Sequence, residues 1–498
     1  MMETLAHLQN GSDVRGVALA EAGGPAVTLT PEAAGRIAAA FGQWLSQKTG
    51  KAPEDLRVGV GHDSRLTAQL LRDAIAQGLG SLGAGVVHCG LSSTPAMFMG
   101  TVFPQTAFDG SIMITASHLP KNRNGMKFFT PAGGLDSPDI KAVLALADGL
   151  TPGAGNIQTQ QADLMGLYAA ALRQRIVDGA QLGDRPLEGL HIVVDAGNGA
   201  GGFFVRQVLE PLGADCRGSQ FLDPDGRFPN HQPNPENPEA MAAVRQAVVA
   251  NQADLGIIFD TDVDRMSAVL ADGSEINRDA IIAMMAAILA PQYPGGTIVT
   301  DSVTSDHLTA FLEDKLGLRH HCFRRGYKNV INEAIRLNRE GIVTPLAIET
   351  SGHGALKENY FLDDGAYMAV RLVAAAAQAR QQGRTLDSLL EGLTLPEHRR
   401  ELRLPLVGED FAAQGRRVLE EVESRAQGEG LRLPKSYEGV RIAVPGKGWL
   451  LLRLSLHDPL MPLNLEGNTA GDLEELTRLA RRLLEGFPAL DTSVFDRL

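Results

Sequence analysis

Cysteine, tryptophan and tyrosine are scarce in this 498-residue chain, with three, two and six copies. The cysteines, Cys89, Cys216 and Cys322, are odd in number and far apart. That spacing excludes a disulfide scaffold and the paired ligand spacing of a structural zinc site, and leaves three reduced thiols as the expectation. Apolar runs of the roughly 18 residues needed to span a bilayer are missing. The opening MMETLAHLQNGSD lacks the apolar stretch of a signal peptide. A cytoplasmic location is therefore expected, and a membrane is not an expected partner. Positive charge is also short: 46 Lys and Arg against 59 Asp and Glu give a net charge of −13. With no dense basic run before the last helix, nucleic acid is not an expected partner either. An anionic small molecule stays compatible, because a local Arg/Lys cluster sets the potential of its own cleft.

What is present is a recurring local pattern. A short apolar run ends in a Gly- or Asp-rich loop and a helical stretch follows. It occurs at Leu56–Val60 before GHDSR, His191–Val194 before DAGNGAGG, Leu255–Phe259 before DTDVDR and Thr297–Thr300 before DSVTSD. Runs such as 255–259 read as buried strands. Helical periodicity is clear over 33–45, 68–82, 238–250, 280–289 and 366–379, so strands alternate with helices as in α/β layers. NPENPEA (234–240) reads as a helix start rather than a linker. Beyond about residue 395, charged helices, a strand at 449–454 and an amphipathic helix at 473–487 suggest a smaller α+β module. The expected domains are 1–160, 161–275, 276–395 and 396–498.

Four loops carry chemistry. Asp260, Asp262 and Asp264 stand at i, i+2 and i+4, and on an extended loop they would point to one side. Three like charges so close call for a cation, and oxygen ligands of this kind suit Mg²⁺. An EF-hand is excluded, since its sixth position would be Arg265 rather than Gly and its twelfth Ala271 rather than Glu. Ser117, in Thr-Ala-Ser-His-Leu-Pro after the apolar 111–114, is a candidate nucleophile or phosphoryl carrier, with Lys127 downstream as a cation. Neither the Gly-x-Ser-x-Gly frame nor Ser-x-x-Lys is present. Glu349, Ser351 and His353 cluster after the strand-like 345–348 and can hydrogen-bond sugar hydroxyls. Arg453 and Ser455 can both reach one phosphate. The run Gly197-Asn-Gly-Ala-Gly-Gly202 fits the dinucleotide G-x-G-x-x-G, but Asp195 would sit beside the supposed pyrophosphate, so it reads as a tight structural turn.

In order and spacing these loops, with Ser12-Asp-Val-Arg15-Gly, Ser117-His-Leu-Pro followed by Gly125-Met-Lys127, and Asp260-Thr-Asp-Val-Asp-Arg265, closely resemble the α-D-phosphohexomutase superfamily, and its bacterial phosphomannomutase/phosphoglucomutase branch above all. The resemblance covers nearly the whole chain. It implies four domains around a central cleft: three related α/β mixed-sheet domains and a C-terminal TATA-binding-protein-like α+β domain. It implies a phosphohexomutase that interconverts hexose 1-phosphate and hexose 6-phosphate of glucose or mannose. Ser117 would be phosphorylated, with Mg²⁺ held by Asp260, Asp262, Asp264 and the Ser117 phosphoryl group. Hexose 1,6-bisphosphate would be the intermediate and activator. Arg15, Lys127 and Arg265 would balance charge, and Lys127, His118 and His353 remain alternatives for the general base. Glu349, Ser351, His353 and Lys328 would read the sugar, while Arg453, Ser455 and His457 would hold the phosphate not in transfer. A monomer or a homodimer is compatible.

This chain also departs from the family pattern. Ser12 replaces Tyr, Thr261 and Val263 replace Gly, Ile348 replaces Gly and Tyr327 replaces His. The phosphate loop reads Arg-Leu-Ser-Leu456-His457-Asp-Pro where the family has roughly Arg-x-Ser-Gly-Thr-Glu-Pro. The altered 455–459 loop motivates a hexose-bisphosphate synthase as an alternative, and a phosphoglucosamine mutase and a non-catalytic sugar-phosphate sensor are kept as further alternatives.

Overall fold

The computed structural model describes residues 4–151, 153, 159–455 and 458–498. The chain forms two compact units. One runs through Asn277 and includes Ser351–Leu389, and the other is Arg278–Thr350 with Leu390–Leu498.

In the first unit, a mixed sheet orders its strands Asp13–Val17, Arg123–Thr130, Gly110–Ile114, Arg57–His62, Gly85–Leu91 and Thr159–Gln161. Arg57–His62 pairs parallel with both Gly85–Leu91 and Gly110–Ile114, whereas Gly110–Ile114 pairs antiparallel with Arg123–Thr130. This order puts the loop after Ile114 beside the end of His62, and faces Met113 with Lys127 across the antiparallel pair. Helices Pro31–Thr49, Ala68–Gly80 and Ser137–Asp148 contribute to the core around Phe41, Ile75, Ile112 and Phe128.

A second mixed sheet in the same unit orders Glu275–Ile276, Met266–Leu270, Leu255–Phe259 and Ile192–Asp195. Every residue of Leu255–Phe259 is buried, as its uninterrupted apolar run predicts. Helix Pro238–Asn251 starts where NPENPEA places it: Asn237 caps the Glu239 and Ala240 amides, and Pro238 sits in the first turn, where its missing N–H costs nothing. Helix Gly365–Gln381 packs against Leu164–Ala180.

In the second unit, strands Arg319–Cys322, Thr297–Thr300 and Leu346–Ile348 run parallel. Helices Asp279–Leu289 and Tyr327–Arg339 accompany them. The C-terminal part is an antiparallel sheet ordered His398–Pro405, Leu460–Gly467, Gly448–Leu452 and Val440–Val444, with helices Phe411–Gly428 and Ala470–Leu483 sharing its apolar core. This is the expected α+β module. Its strand ends at Leu452, so Arg453 opens the following loop rather than standing inside the strand. Among the described residues, no helix is long and apolar enough to cross a membrane.

Candidate active site

Ser117 follows strand Gly110–Ile114 and is almost completely buried. Its φ of +50° lies in the left-handed region that non-glycine residues avoid. Its hydroxyl donates to Asp260 Oδ2 at 2.8 Å across 143 residues of sequence. The three Asp carboxylates meet there, with one oxygen of each within 4.8 Å of the others and all three side chains buried.

They do not converge as an extended run. The loop is a tight turn in which Val263, fully buried, takes φ +67°, an unusual conformation for a β-branched residue. Gly199 makes room for it, since a Cβ there would come within 2.6 Å of the Thr261 carbonyl oxygen and 2.8 Å of its Cα. The GNGAGG turn thus packs on the Asp loop, in agreement with its reading as a structural turn.

The donor set fits a hard divalent cation. Asp262 Oδ1 and Asp264 Oδ1 are buried with no hydrogen-bond partner. Burial, followed by the Asp264 and Asp262 charges, pushes the Asp260 carboxyl well above its ordinary range, so the protein alone does not support full charge on the triplet. Burial also raises Asp264, but Lys127, His353 and Arg265 outweigh it and hold that carboxyl low. Lys127 Nζ pairs with Asp264 and lies 3.2 Å from Asp262 Oδ2. Thr94, at the start of helix Thr94–Val102, donates its amide to the Asp262 carbonyl at 2.9 Å and its hydroxyl to the Asp262 carboxylate.

Arg265 NH2 donates to His118 Nδ1 at 2.8 Å, which makes that nitrogen an acceptor. The Arg265 guanidinium, then burial and Arg15, keep the imidazole far below its usual range and hence neutral. Arg15 pairs with Asp13 at 2.9 Å. His353 is built differently. Its Nδ1 meets Asp363 Oδ2 at 2.5 Å, and Asp363 Oδ1 accepts the Gly354 amide at 3.0 Å. Ser351 is buried in the same unit.

The second unit carries the remaining predicted residues. Glu349 Oε1 accepts the Gly326 amide at 2.6 Å and so anchors the loop that leads into Tyr327 and Lys328. Arg325 donates its amide to Glu438 at 3.1 Å, and its Nε lies 3.8 Å from Asp301 Oδ2. Arg453 is 8% exposed with its Nε unpartnered. Ser455 Oγ accepts the Asp458 amide at 3.2 Å. His457 lies outside the described residues.

Asp363, Thr94, Asp301, Arg325 and Glu438 were not legible in the sequence as site residues. Thr94, Arg325, Asp363 and Glu438 belong to none of the loops singled out, and Asp301 opens DSVTSD, which stands out only as a loop after a strand. The other such residue, Arg65, stands in the GHDSR loop, whose position after a strand matches the loops that were singled out.

Comparison with known proteins gives matches along most of the chain. The phosphoglucomutase/phosphomannomutase alpha/beta/alpha domains I, II and III match residues 6–150, 167–273 and 277–395. A phosphoglucomutase of Neisseria gonorrhoeae is 29% identical over 466 residues, covering 93% of this chain and 95% of that protein. A phosphomannomutase/phosphoglucomutase of Pseudomonas syringae pv. tomato is 30% identical over 440 residues, covering 87% and 88%. Among solved structures, a phosphoglucomutase/phosphomannomutase family protein from Burkholderia thailandensis superposes with a TM-score of 0.80 at 27% identity, covering 97% and 98%.

Proposed function

The chain belongs to the phosphoglucomutase/phosphomannomutase family and is a phosphohexomutase, an isomerase; from that premise we propose that it interconverts hexose 1-phosphates and 6-phosphates of glucose or mannose through phosphorylated Ser117. The observation that carries this reading is the Ser117 hydroxyl, 2.8 Å from Asp260 in a buried carboxylate triplet with Lys127 beside it. Asp260, Asp262 and Asp264 would hold Mg²⁺ together with the phosphoryl group on Ser117. When bound, that ion supplies charge neutralisation on the phosphoryl oxygens.

Transfer breaks the bond between phosphorus and Ser117 Oγ and forms one to the free 1- or 6-hydroxyl of the sugar phosphate. The product of this half-reaction is a hexose 1,6-bisphosphate. In the return half-reaction the other phosphoryl group moves to Ser117 Oγ. Lys127, Arg265 and Arg15 would balance the charge on the moving group.

The sugar hydroxyl must lose a proton. Of the three alternatives, His118 already accepts from Arg265 and is kept neutral, while Lys127 Nζ is engaged by Asp262 and Asp264. His353 has its ring fixed at Nδ1 by the Asp363 carboxyl group, which burial and then the Asp264 charge push well above its ordinary range, and this fixed orientation favours it as the general base. Glu349, Ser351 and Lys328 would contact the sugar, and Arg453 and Ser455 would bind the phosphate that is not in transfer.

Phosphorus NMR tests the proposal. Glucose 1-phosphate or mannose 1-phosphate is mixed with Mg²⁺, a trace of the matching 1,6-bisphosphate, and native protein or Ser117→Ala. Conversion to the 6-phosphate by native protein alone is expected. No conversion by native protein, where a known mutase converts the same mixture, rejects the reading.

A further inference from the structure

The Ser117 loop is held from beneath by one side chain that the reaction itself does not use. Arg65 is 2% exposed and follows strand Arg57–His62. Its guanidinium donates to the carbonyls of Ser117, Leu119 (2.7 Å), Pro120 (2.8 Å) and Arg123 (2.9 Å). The one carbonyl of the 117–120 run that it leaves, that of His118, accepts from Gln232 Nε2. The opposite side of the Ser117 residue is held as well. Its amide donates to Thr115 Oγ1 at 2.9 Å, and that hydroxyl donates to Asp63 Oδ2 at 2.7 Å. Asp63 closes the circuit: its Oδ1 accepts the Arg65 amide at 2.9 Å, and its Oδ2 lies 3.3 Å from Arg65 Nε with neither side chain exposed. The Phe228 ring covers the guanidinium, 5.4 Å from centroid to Cζ.

We propose that Asp63 and Arg65 form a positioning clamp for Ser117, with Thr115 carrying the grip on its amide and Arg65 the grip on its carbonyl. The inference rests on the reading of Ser117 as the phosphoryl carrier. A non-glycine residue with φ of +50° has neighbouring backbone wells open to it, and in those the hydroxyl would leave Asp260. A single planar fork satisfying several carbonyls removes that freedom. An ammonium at the same place has three donors and no fixed plane, and cannot reproduce it. The clamp thereby keeps Ser117 Oγ in line in both its phosphorylated and free forms, without touching sugar or phosphate.

The test separates positioning from mere folding. Native protein, Arg65→Lys and Thr115→Val are incubated with glucose 1,6-bisphosphate, and phosphate on Ser117 is quantified by mass spectrometry. Each phosphorylated protein is then mixed with glucose 1-phosphate in a rapid-quench experiment, and the first-order loss of phosphate is measured per phosphorylated chain. Unfolded chains do not enter that rate constant. The expected result is a fall of about 100-fold for Arg65→Lys and about tenfold for Thr115→Val, as a small misplacement of a reacting atom produces. Rate constants within about twofold of native for either variant that folds overturn the clamp. Thr115→Val decides the matter if Arg65→Lys does not fold, because it cuts the other arm and leaves the buried ion pair in place. If native protein takes no phosphate on Ser117, the mutase reading fails first and the clamp with it.

Discussion

Replacing Asp301 by Asn should stabilise the second unit, and by an amount that depends on pH in a defined direction. Asp301 is fully buried at the end of strand Thr297–Thr300. Its Oδ2 accepts the Thr350 hydroxyl at 2.7 Å, its Oδ1 has no hydrogen-bond partner, and Arg325 Nε stands 3.8 Å away. Burial dominates. Although Arg325 and Thr350 pull the other way, the carboxyl is pushed up to about 6 from 3.8. Because the folded value exceeds the unfolded one, this group's favourable contribution is complete below the unfolded value. It is lost as pH rises through about 6. At pH 8 the ionised carboxylate therefore costs about 3 kcal/mol relative to a neutral group, and at pH 4.5 about 1 kcal/mol. Asn keeps an acceptor for Thr350 and never ionises. The attraction to Arg325 that it forfeits is already contained in the net shift. For a unit of this size the gain at pH 8 corresponds to a rise in Tm of about 6–12 °C, and at pH 4.5 to roughly a third of that. Differential scanning calorimetry of the native and Asp301→Asn proteins at both values measures it. An equal shift at the two pH values, or a lower Tm for the variant at pH 8, refutes the reasoning and means that Arg325 fully compensates the buried charge.

Other consequences concern the first unit and the thiols. Asp262→Asn removes one of three converging carboxylates and should weaken Mg²⁺ binding at least about tenfold by isothermal titration; unchanged affinity would place the ion elsewhere. Gly199→Ala drives a Cβ against the Thr261 backbone, so it should weaken Mg²⁺ binding although it lies outside the Asp loop; native affinity would show that the turn can give way. For Cys322, burial is outweighed by His320 and the Thr304 hydroxyl, which hold the thiol at about 7, while burial pushes Cys89 and Cys216 up to about 12. Iodoacetamide at pH 8 should accordingly label Cys322 well before the other two, as read by peptide mass spectrometry, and equal labelling of all three would contradict this.

Much of the site was legible because each of its loops follows a short apolar strand, a local signal. The Ser117 and Asp260–Asp264 loops could be picked out for that reason, and the helix at Pro238 could be placed from the NPENPEA run and the periodicity over 238–250. The path of the Asp loop was not legible. Alternating residues suggested an extended run, but the carboxylates converge through a turn at Val263, in a conformation that a valine would not be assigned from sequence. Its burial supplies the packing that holds it there. The contact between His118 and Arg265 was equally out of reach, since 147 residues separate them.

The sequence by itself determined which residue types stand at the ends of which strands, and with them the chemistry on offer: a hydroxyl, three carboxylates, a lysine, an imidazole. Those are consequences of hydrophobic periodicity and turn composition, which act over a few residues. Tertiary structure decided which of these groups meet and in what state of charge. Ser117 reaches Asp260, Lys127 reaches Asp264, and Arg65 reaches four carbonyls of the Ser117 loop only because sheet order and helix packing bring distant segments together. Burial then sets the charges, since a carboxylate or imidazole removed from water answers to the few groups it touches rather than to its own intrinsic affinity for a proton.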